Sequence, residues 1–219
     1  MATGLFVTGT DTGIGKTHVA VALLRGFVAG GLRAVGMKPI AAGIAPGAAA
    51  NDDVLALAEA GNVDAPLDER NPYAFMDAIA PHVAAARAGV TIDPARIVSA
   101  YRALAQRADA IVVEGAGGAL VPIGPREDML DVARALGLPV VLVVGVRLGC
   151  LHHALAAELA IRMRGLELAG WVANHIDPVM TAADASVAAL DARIAAPRLA
   201  DLRWNDRSAI DLPLPARRR

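Results

Sequence analysis

The hydrophobic residues of this chain fall into short aliphatic runs that alternate with longer stretches of helical periodicity. The runs are apolar on both faces, as a parallel sheet covered by helices requires. The predicted strands are Leu5–Thr8, Ala34–Lys38, Ala110–Glu114, Pro139–Val144 and Leu168–Asn174. The predicted helices are Lys16–Gly30, Asp52–Ala60, Pro94–Arg107, Met129–Leu136 and Leu151–Arg164. This alternation predicts an α/β fold, a three-layer α/β/α sandwich with a mainly parallel sheet.

Two segments interrupt the alternation. Ala41–Ala50 is rich in Gly, Ala and Pro, and Asp64–Ala80 is rich in Pro, Asn and Asp with little periodicity. Both are predicted to be loops over a site. Asp93 before Pro94 predicts a helix N-cap followed by a first-turn proline. No repeat or linker divides the chain, so residues 1–219 are expected to form a single domain.

The first predicted strand ends in a glycine-rich turn that closes with Gly15-Lys16-Thr17. Glycines let backbone N–H groups approach phosphate oxygens, and the start of the following helix adds its own N–H groups. Lys16 is expected over the β/γ-phosphates of a nucleotide and the Thr17 hydroxyl on Mg²⁺. Five residues separate Gly9 from Gly15, one more than in the usual motif. The strand–loop–helix context nevertheless favours a P-loop NTPase fold over a turn with a surface lysine.

Composition narrows the function classes. The chain has 219 residues, of which 55% are hydrophobic and 3% aromatic, so its core is aliphatic. The net charge of −1 gives no support for a nucleic-acid or membrane partner. The lone Cys150 excludes an internal disulfide and fits a reducing compartment. The N-terminus lacks a signal-peptide pattern and Leu138–Val146 is too short to span a bilayer, so we expect a cytoplasmic protein. The tail Leu212–Arg219 is expected to be solvated, with a basic anchor as the alternative.

Charged residues lie at the ends of predicted elements. Lys38 ends the second strand, where it either points a second cation at a γ-phosphate or is a surface lysine. Asp53, near the start of a helix, and Glu114, at the end of a strand, are of the kind that hold Mg²⁺. The alternative for Asp53 is an N-cap. Glu114 is expected to have a partner, because burying an unpaired carboxylate is costly.

Other segments permit two readings each. The stretch Gly115–Gly118 either brings backbone close to a ligand or forms a turn. The segment Arg147–His153 opens a helix whose free N–H groups suit a carboxylate. Its adjacent histidines point about 100° apart on a helix, and no matching ligand set accompanies them, so metal binding there is not favoured. Asn174 either reads a purine edge or has a role in a turn.

Together these residues resemble the dethiobiotin synthetase family, the ATP-dependent carboxylases of biotin biosynthesis. The resemblance covers most of the chain and uses the five-residue loop spacing of that family. It rests on seven ordered motifs: Phe6–Thr12 through Gly15-Lys16-Thr17, Lys38-Pro39, Asn71-Pro72-Tyr73, Pro81-His82, Val113–Gly118, Val144-Gly145 through Leu148-Gly149-Cys150, and Gly170–Asn174.

The resemblance implies a homodimer that converts 7,8-diaminononanoate, CO2 (or bicarbonate) and ATP into dethiobiotin, ADP and phosphate. One amine captures CO2 as a carbamate, ATP phosphorylates the carbamate, and the second amine closes a cyclic urea. Lys16, Lys38 and Mg²⁺ are expected to neutralise the charge that grows during phosphoryl transfer. The remaining rate acceleration is expected to come from holding the amines, CO2 and ATP close together, without a covalent enzyme intermediate.

The resemblance also implies the site residues. The catalytic residues are Lys38, Lys16 and Thr12, and the Mg²⁺ ligands are Thr17, Asp53 and Glu114. The ATP phosphates and metal lie at Gly13, Ile14, Gly15, Lys16, Thr17, His18, Asp53, Glu114, Gly115, Ala116 and Gly117. The adenine lies at Asn174, His175, Leu202, Arg203 and Trp204. The substrate lies at Ala42 and Gly118, with Gly149, Cys150, Leu151, His152 and His153 supplied by the partner subunit.

Three residues depart from the family pattern. Ala42 replaces a serine expected at the substrate, His152 replaces a common asparagine, and Arg203 replaces a proline near the adenine. Two other functions share this nucleotide fold. A cobyrinate-type amidoligase would need a glutaminase domain, for which the chain has no room. A dimeric ATP switch of the partitioning type would usually carry an extra lysine where Thr10 and Asp11 stand.

Overall fold

The computed structural model describes residues 2–206 and 208–210. Within these residues, strands and helices alternate along most of the chain. The strands are β1 Thr3–Gly9, β2 Ala34–Met37, β3 Ile40–Ala42, β4 Tyr73–Phe75, β5 Ala110–Glu114, β6 Val140–Val146, β7 Leu168–His175 and β8 Arg198–Leu202. The helices are α1 Lys16–Ala29, α2 Asp52–Ala60, α3 Leu67–Arg70, α4 Pro81–Arg87, α5 Pro94–Arg107, α6 Met129–Leu136, α7 Cys150–Met163 and α8 Ala183–Asp191.

Six strands form one parallel sheet in the order β2-β5-β1-β6-β7-β8. Strand β1 lies inside the sheet, where Val7 pairs with Glu114 of β5 and Phe6 pairs with Val140 of β6. Because all six strands run the same way, their carboxyl ends meet at one edge of the sheet, where ligands of open α/β folds bind. The predicted fold class is therefore confirmed.

Alternate residues of the inner strands pack into two aliphatic cores, one on each face of the sheet. Phe6 points to the core shared with α5, α6, α7 and α8, and Leu5 and Val7 point to the core shared with α1 and α2. On α1, Leu23 and Leu24 are fully buried, which stabilises the helix by about 1.5–3 kcal/mol per side chain. The phosphate loop thus joins two elements that are each fixed by burial.

The sequence analysis was wrong about part of the segment between β2 and α5. The stretch Asp64–Ala80, predicted as a loop, contains α3 and β4, and the predicted loop Ala41–Ala50 begins within β3. Strands β3 and β4 pair with each other in parallel as a separate two-stranded sheet. Each has three residues, too few for a periodic pattern to indicate.

Three other elements were not predicted, namely α4, α8 and β8. Strand β8 carries Arg198 and Asp201 because it lies at the edge of the sheet, where one side is open to charged residues. The predicted cap of α5 is confirmed, since the Asp93 side chain accepts a hydrogen bond from the backbone of Ala95 at 2.8 Å. No helix of the described residues is long and apolar enough to cross a membrane. The tail Leu212–Arg219 lies outside them.

Candidate active site

The phosphate loop runs from the end of β1 to the start of α1 with two glycines in left-handed conformations. Gly13 has a φ of 73° and Gly15 a φ of 88°. The N-cap residue of α1 is Gly15, which has no side chain to cap the helix, so the N–H groups of the first turn remain available to an anion. A Cβ atom added to Gly15 would lie 2.2 Å from Nδ2 of Asn174. That amide donates to the carbonyl of Ile14 at 2.8 Å, so β7 holds the second half of the loop.

Strand β6 holds the first half of the loop. The backbone N–H of Thr10 donates to the carbonyl of Val143 at 3.0 Å. The Asp11 carboxylate accepts a hydrogen bond from the Arg147 guanidinium, which follows β6, at 2.5 Å. The Asp11 carbonyl in turn accepts from Nζ of Lys16 at 2.8 Å. The ends of β6 and β7 therefore fix the loop backbone and the lysine within it.

Four polar side chains meet beside the loop. They come from the start of α1, the carboxyl ends of β2 and β5, and the first turn of α2. Nζ of Lys38 lies 2.7 Å from Oδ2 of Asp53 and 2.6 Å from Oε1 of Glu114. The Thr17 hydroxyl lies 2.8 Å from Oδ1 of Asp53 and 2.9 Å from Oε1 of Glu114. The Lys38 side chain is 6% exposed, so the surface-lysine alternative is wrong, and Glu114 has the expected partner.

The N-cap alternative for Asp53 is also wrong. Asn51 caps α2, because its side chain accepts a hydrogen bond from the backbone N–H of Asp53 at 3.0 Å. The Asp53 carboxylate is therefore free to turn toward Lys38 and Thr17. Asp53 lies in the first turn of α2, where the helix dipole also favours a negative charge.

Burial and close charges set the protonation of this group. Burial, with Lys38 as a nearby cation, lowers the pKa of Lys16 from 10.5 to about 8. Burial opposes the charged form of Lys38, but Glu114 and Asp53 outweigh it and raise the pKa of Lys38. Burial likewise opposes ionisation of Asp53, yet the Lys38 ammonium lowers the pKa of that carboxyl. Burial raises the pKa of Glu114 against the attraction of Lys38.

The oxygen atoms of this group fit a magnesium ion. Oε2 of Glu114 is buried and makes no hydrogen bond to the described residues, an unsatisfied acceptor that a cation would satisfy. Within residues 2–206 and 208–210 no set of three or more His, Cys, Asp or Glu is arranged as a metal site. Two carboxylates and a hydroxyl nevertheless suit Mg²⁺, which commonly takes few protein ligands and completes its shell with phosphate oxygens and water.

A cavity of about 730 Å³ opens over this group and has two different walls. One wall consists of the phosphate loop, Lys38, Asp53 and Glu114. The other consists mainly of small and aliphatic residues from β3 and from the segments before α4 and α6. Those residues are Ile40, Ala42, Ala78, Ile79, Ala80, Pro81, Ala116, Gly117 and Val121. The cavity therefore brings an apolar compartment next to a phosphate site.

Most of the predicted phosphate residues lie in or beside this cavity. Thr12, Gly13, Gly15, Lys16 and Thr17 line it. Ile14 is buried beneath the loop, and His18 is half-buried on α1. The Gly115 N–H donates to the Val7 carbonyl, and Gly118 approaches the Gly9 carbonyl, so the stretch after β5 packs against the loop.

The predicted adenine residues lie at the same sheet edge but do not line the cavity. Asn174 and His175 end β7, and Leu202 ends the neighbouring β8. Nε2 of His175 lies 2.7 Å from Oδ1 of Asp201. The turn after β8 carries Arg203, which pairs with Asp184, and Trp204, which is 54% exposed.

The predicted substrate residues of α7 also lie outside the cavity of this chain. Gly149 has a φ of 95° and precedes the helix, which begins at the buried Cys150. Leu151, His152 and His153 are exposed on the first turn. Of the two substrate residues predicted within one chain, Ala42 lines the cavity and Gly118 does not.

Sequence reasoning missed the apolar wall and the residues that brace the site. The motif Pro81-His82 indicated its position, because Pro81 begins α4 and lines the cavity. Asn71 was noticed as part of a motif but was given no role. Arg147 was seen as the start of a helix segment, whereas the structure pairs it with Asp11 across the loop.

The chain is similar to known proteins in sequence and in fold. A protein-family model described as an AAA domain matches residues 3–209. The ATP-dependent dethiobiotin synthetase BioD of Aromatoleum aromaticum is 54% identical over 196 residues, which is 89% of this chain and 87% of the relative.

Solved structures share the fold at much lower identity. The chloroplast FtsY of Physcomitrella patens has a TM-score of 0.58 at 16% identity, covering 96% of this chain and 62% of FtsY. The septum site-determining protein MinD of Pyrococcus horikoshii, solved with Mg-ADP, has a TM-score of 0.53 at 14% identity, covering 93% of this chain and 82% of MinD. These likenesses show the P-loop NTPase fold and nothing about the substrate.

Proposed function

The chain belongs to the family of ATP-dependent dethiobiotin synthetases, and we propose on that premise that it carboxylates and cyclises 7,8-diaminononanoate to dethiobiotin. It is a ligase that uses ATP as co-substrate. The observation that carries this function is the position of Lys38 between Asp53 and Glu114, at 2.7 and 2.6 Å, directly beside the phosphate loop. This position supports the proposal, because a cation and two carboxylates lie beside the loop that would bind the phosphates.

The reaction has three steps. One amine of the diamine forms a C–N bond to CO2 and loses a proton, which gives a carbamate. A carbamate oxygen attacks the γ-phosphorus of ATP, the bond to the ADP oxygen breaks, and a carbamic-phosphoric anhydride forms. The second amine attacks the carbonyl carbon and loses a proton, and the bond to phosphate oxygen breaks, so the products are the cyclic urea, ADP and phosphate.

The chain's own residues neutralise and orient charge in the second step. The loop N–H groups and Lys16 bind the phosphates, and Lys38 faces the oxygen atoms exchanged between carbamate and ADP. We assign Thr12, which lines the cavity, to the same step. Thr17, Asp53 and Glu114 would hold Mg²⁺, whose chemistry there is to offset the negative charge of the β- and γ-phosphates.

The apolar wall of the cavity is assigned to the carbon chain of the diamine. Ala42 lies on this side and has no hydroxyl to donate, so binding there depends on contact with methylene groups, while Gly118 is assigned to the substrate from its place against the phosphate loop. The adenine is assigned to the exposed edge formed by Asn174, His175, Leu202, Arg203 and Trp204. The cytoplasm, expected from the lone cysteine, is the proposed location.

We further propose that two copies of the chain form a homodimer through α7. Leu151 is 39% exposed, Leu159 46% and Met163 77%, and the half-buried Leu155 completes a line of positions four residues apart on the helix. Leu148, in the turn just before the helix, is 90% exposed. Such a line is one face of a helix. Its exposure in the single chain indicates a surface that a partner chain covers. A second copy would bring its residues Gly149–His153 to the cavity for the substrate carboxylate.

The test is phosphate release from ATP by purified protein with diaminononanoate and bicarbonate supplied together and omitted in turn. We expect turnover with both substrates, and ¹³C-bicarbonate is expected to leave its label in the product by mass spectrometry. Equal phosphate release without the diamine would favour an ATP switch instead. We expect Lys38→Ala to bind nucleotide but lose carboxylation and Lys16→Ala to weaken both, so an active Lys38→Ala variant would remove the catalytic assignment.

A further inference from the structure

The position of the Lys38 ammonium depends on how its backbone is held at the end of β2. Strand β2 ends at Met37, so Lys38 is no longer paired within the six-stranded sheet. Its backbone N–H donates to the carbonyl of Arg70 at 2.8 Å, and its carbonyl accepts a hydrogen bond from Nδ2 of Asn71 at 2.7 Å. Two consecutive residues at the end of α3 therefore bind both backbone polar groups of Lys38.

The Asn71 amide uses both of its N–H groups on backbone carbonyls. Besides Lys38, Nδ2 donates to the carbonyl of Tyr73 at 2.9 Å. The N–H of Tyr73 then donates to the carbonyl of Pro39 at 3.1 Å, so β4 is joined to the chain just after Lys38. Asn71 is 6% exposed, which places these hydrogen bonds away from water, where they are strong and costly to lose.

Sequence and chemistry select asparagine at this position. Asn71 precedes Pro72 and Lys38 precedes Pro39, and the helical region is disfavoured for a residue before proline; Asn71, with φ −142° and ψ 75°, lies outside that region. The short amide supplies two donors to two carbonyl oxygens. An aspartate of the same shape would offer only acceptors to the same oxygens, and alanine would leave two buried carbonyls without their donor.

We propose that Asn71 is a positioning residue that fixes Lys38 for phosphoryl transfer through the Lys38 carbonyl. This inference rests on the proposed function, in which Lys38 acts on the transferred group. Nζ of Lys38 lies 2.6 Å from Oε1 of Glu114, at the end of a flexible side chain. The position of the Lys38 backbone, which Asn71 holds, determines where that side chain begins. A shift of about 1 Å in such a group can reduce a rate about 100-fold.

Asn62 provides a control amide that also bonds backbone groups, at the other end of the same strand and in an exposed position. Its Oδ1 accepts from the N–H of Ala34 at 2.8 Å, and its Nδ2 donates to the carbonyl of Leu32 at 3.0 Å. Asn62 thus braces the start of β2 through one accepted and one donated hydrogen bond, at the end of the strand away from Lys38. Loss of Asn62 is expected to affect the fold without affecting the reaction.

The experiment compares Asn71→Ala, Asn71→Ser and Asn62→Ala in the diamine-dependent phosphate assay, with thermal unfolding measured for each. We expect Asn71→Ala to lower kcat about 10- to 100-fold with KM for ATP changed less than about threefold, and Asn71→Ser, which keeps one donor, to fall between it and the wild type. Asn62→Ala is expected to keep the wild-type kcat. Acetylation of Lys38 by acetic anhydride, followed by mass spectrometry, is expected to be faster in Asn71→Ala than in Asn62→Ala.

A double variant separates positioning from general damage. In the Lys38→Ala background, Asn71→Ala is expected to cause no further loss of single-turnover rate, because the residue it positions is gone. An unchanged kcat in Asn71→Ala, or the same loss with and without Lys38, would overturn the inference. The proposed function fails separately: it fails if the wild type turns over ATP without the diamine or if Lys38→Ala alone is fully active.

Discussion

Replacing Lys38 with methionine tests whether the ammonium and a metal ion neutralise the same two carboxylates. The substitution keeps an unbranched side chain as far as the ε position and removes the ammonium from between Asp53 and Glu114, which lie 2.7 and 2.6 Å from it. The Glu114 side chain is 1% exposed and the Asp53 side chain 40% exposed. In the variant the deeply buried Glu114 carboxylate therefore keeps the Thr17 hydroxyl as its one side-chain donor among the described residues.

The size of the effect follows from this burial. Removing one partner of a buried ion pair typically costs about 3–5 kcal/mol, and we take about 3 kcal/mol because Asp53 is partly solvated. For a chain of this length each kcal/mol corresponds to about 2–4 °C in Tm, so the expected loss is roughly 6–12 °C. Magnesium at about 100 times its dissociation constant would return about 2.7 kcal/mol.

The assay is thermal unfolding of the wild type and Lys38→Met, each with and without MgCl2 and without nucleotide. We expect Mg²⁺ to raise the Tm of the variant by several degrees more than that of the wild type, where the ammonium already neutralises the site. The control is Arg33→Met, which removes a pair with Asp109 in which the Arg33 side chain is 62% exposed; such pairs contribute about 0–1 kcal/mol. An equal response to Mg²⁺ in all three proteins would refute the shared-site reasoning.

Three further predictions concern the loop, its lysine and the dimer. Gly15→Ala and Gly13→Ala both strain a left-handed residue, but only Gly15→Ala places a Cβ 2.2 Å from the Asn174 amide. Measured by calorimetry, Gly15→Ala should therefore weaken binding of a non-hydrolysable ATP analogue at least about 10-fold more than Gly13→Ala does. Because the pKa of Lys16 is lowered to about 8, ATP affinity should be constant below that pH and fall above it. Binding at pH ~8.5 should take up protons, because ATP favours the charged form of Lys16. An affinity that rises across this range would contradict the assignment of Lys16 to the phosphates. Leu148→Asp should shift the protein to a monomer in sedimentation, abolishing diamine turnover while ATP binding persists; a dimeric variant would exclude this face.

The elements that the sequence predicted are those whose pattern is set by burial. Strands β1, β5 and β6 are apolar along their length because helices cover both faces, so their positions follow directly from hydropathy. The three-residue strands β3 and β4 have no such pattern, and β8 is polar because it lies at an edge. Their pairing depends on tertiary contacts that a local pattern does not contain.

The residues of the candidate site that belong to a clear sequence motif could be predicted, and those that brace them could not. Lys16 and Thr17 follow from the glycine-rich loop, and Glu114 follows from the energetic cost of a lone carboxylate at the end of a buried strand. The bracing contacts were not predictable, because Asn71 is 33 residues from Lys38 in sequence. Their meeting depends on how α3 lies against the end of β2, and the sequence analysis had predicted the strand but assigned the α3 segment to a loop.

The two-stranded sheet of β3 and β4 separates one part of the cavity lining from the strands that carry the phosphate loop. In the described residues these strands pair with each other and not with the six-stranded sheet, while Ile40 and Ala42 of β3 line the cavity. Under the proposed function this part of the lining meets the molecule that receives the phosphoryl group. Side-chain replacements on β3 are therefore expected to change the choice of acceptor while the nucleotide end, which is anchored in the central strands, keeps its geometry.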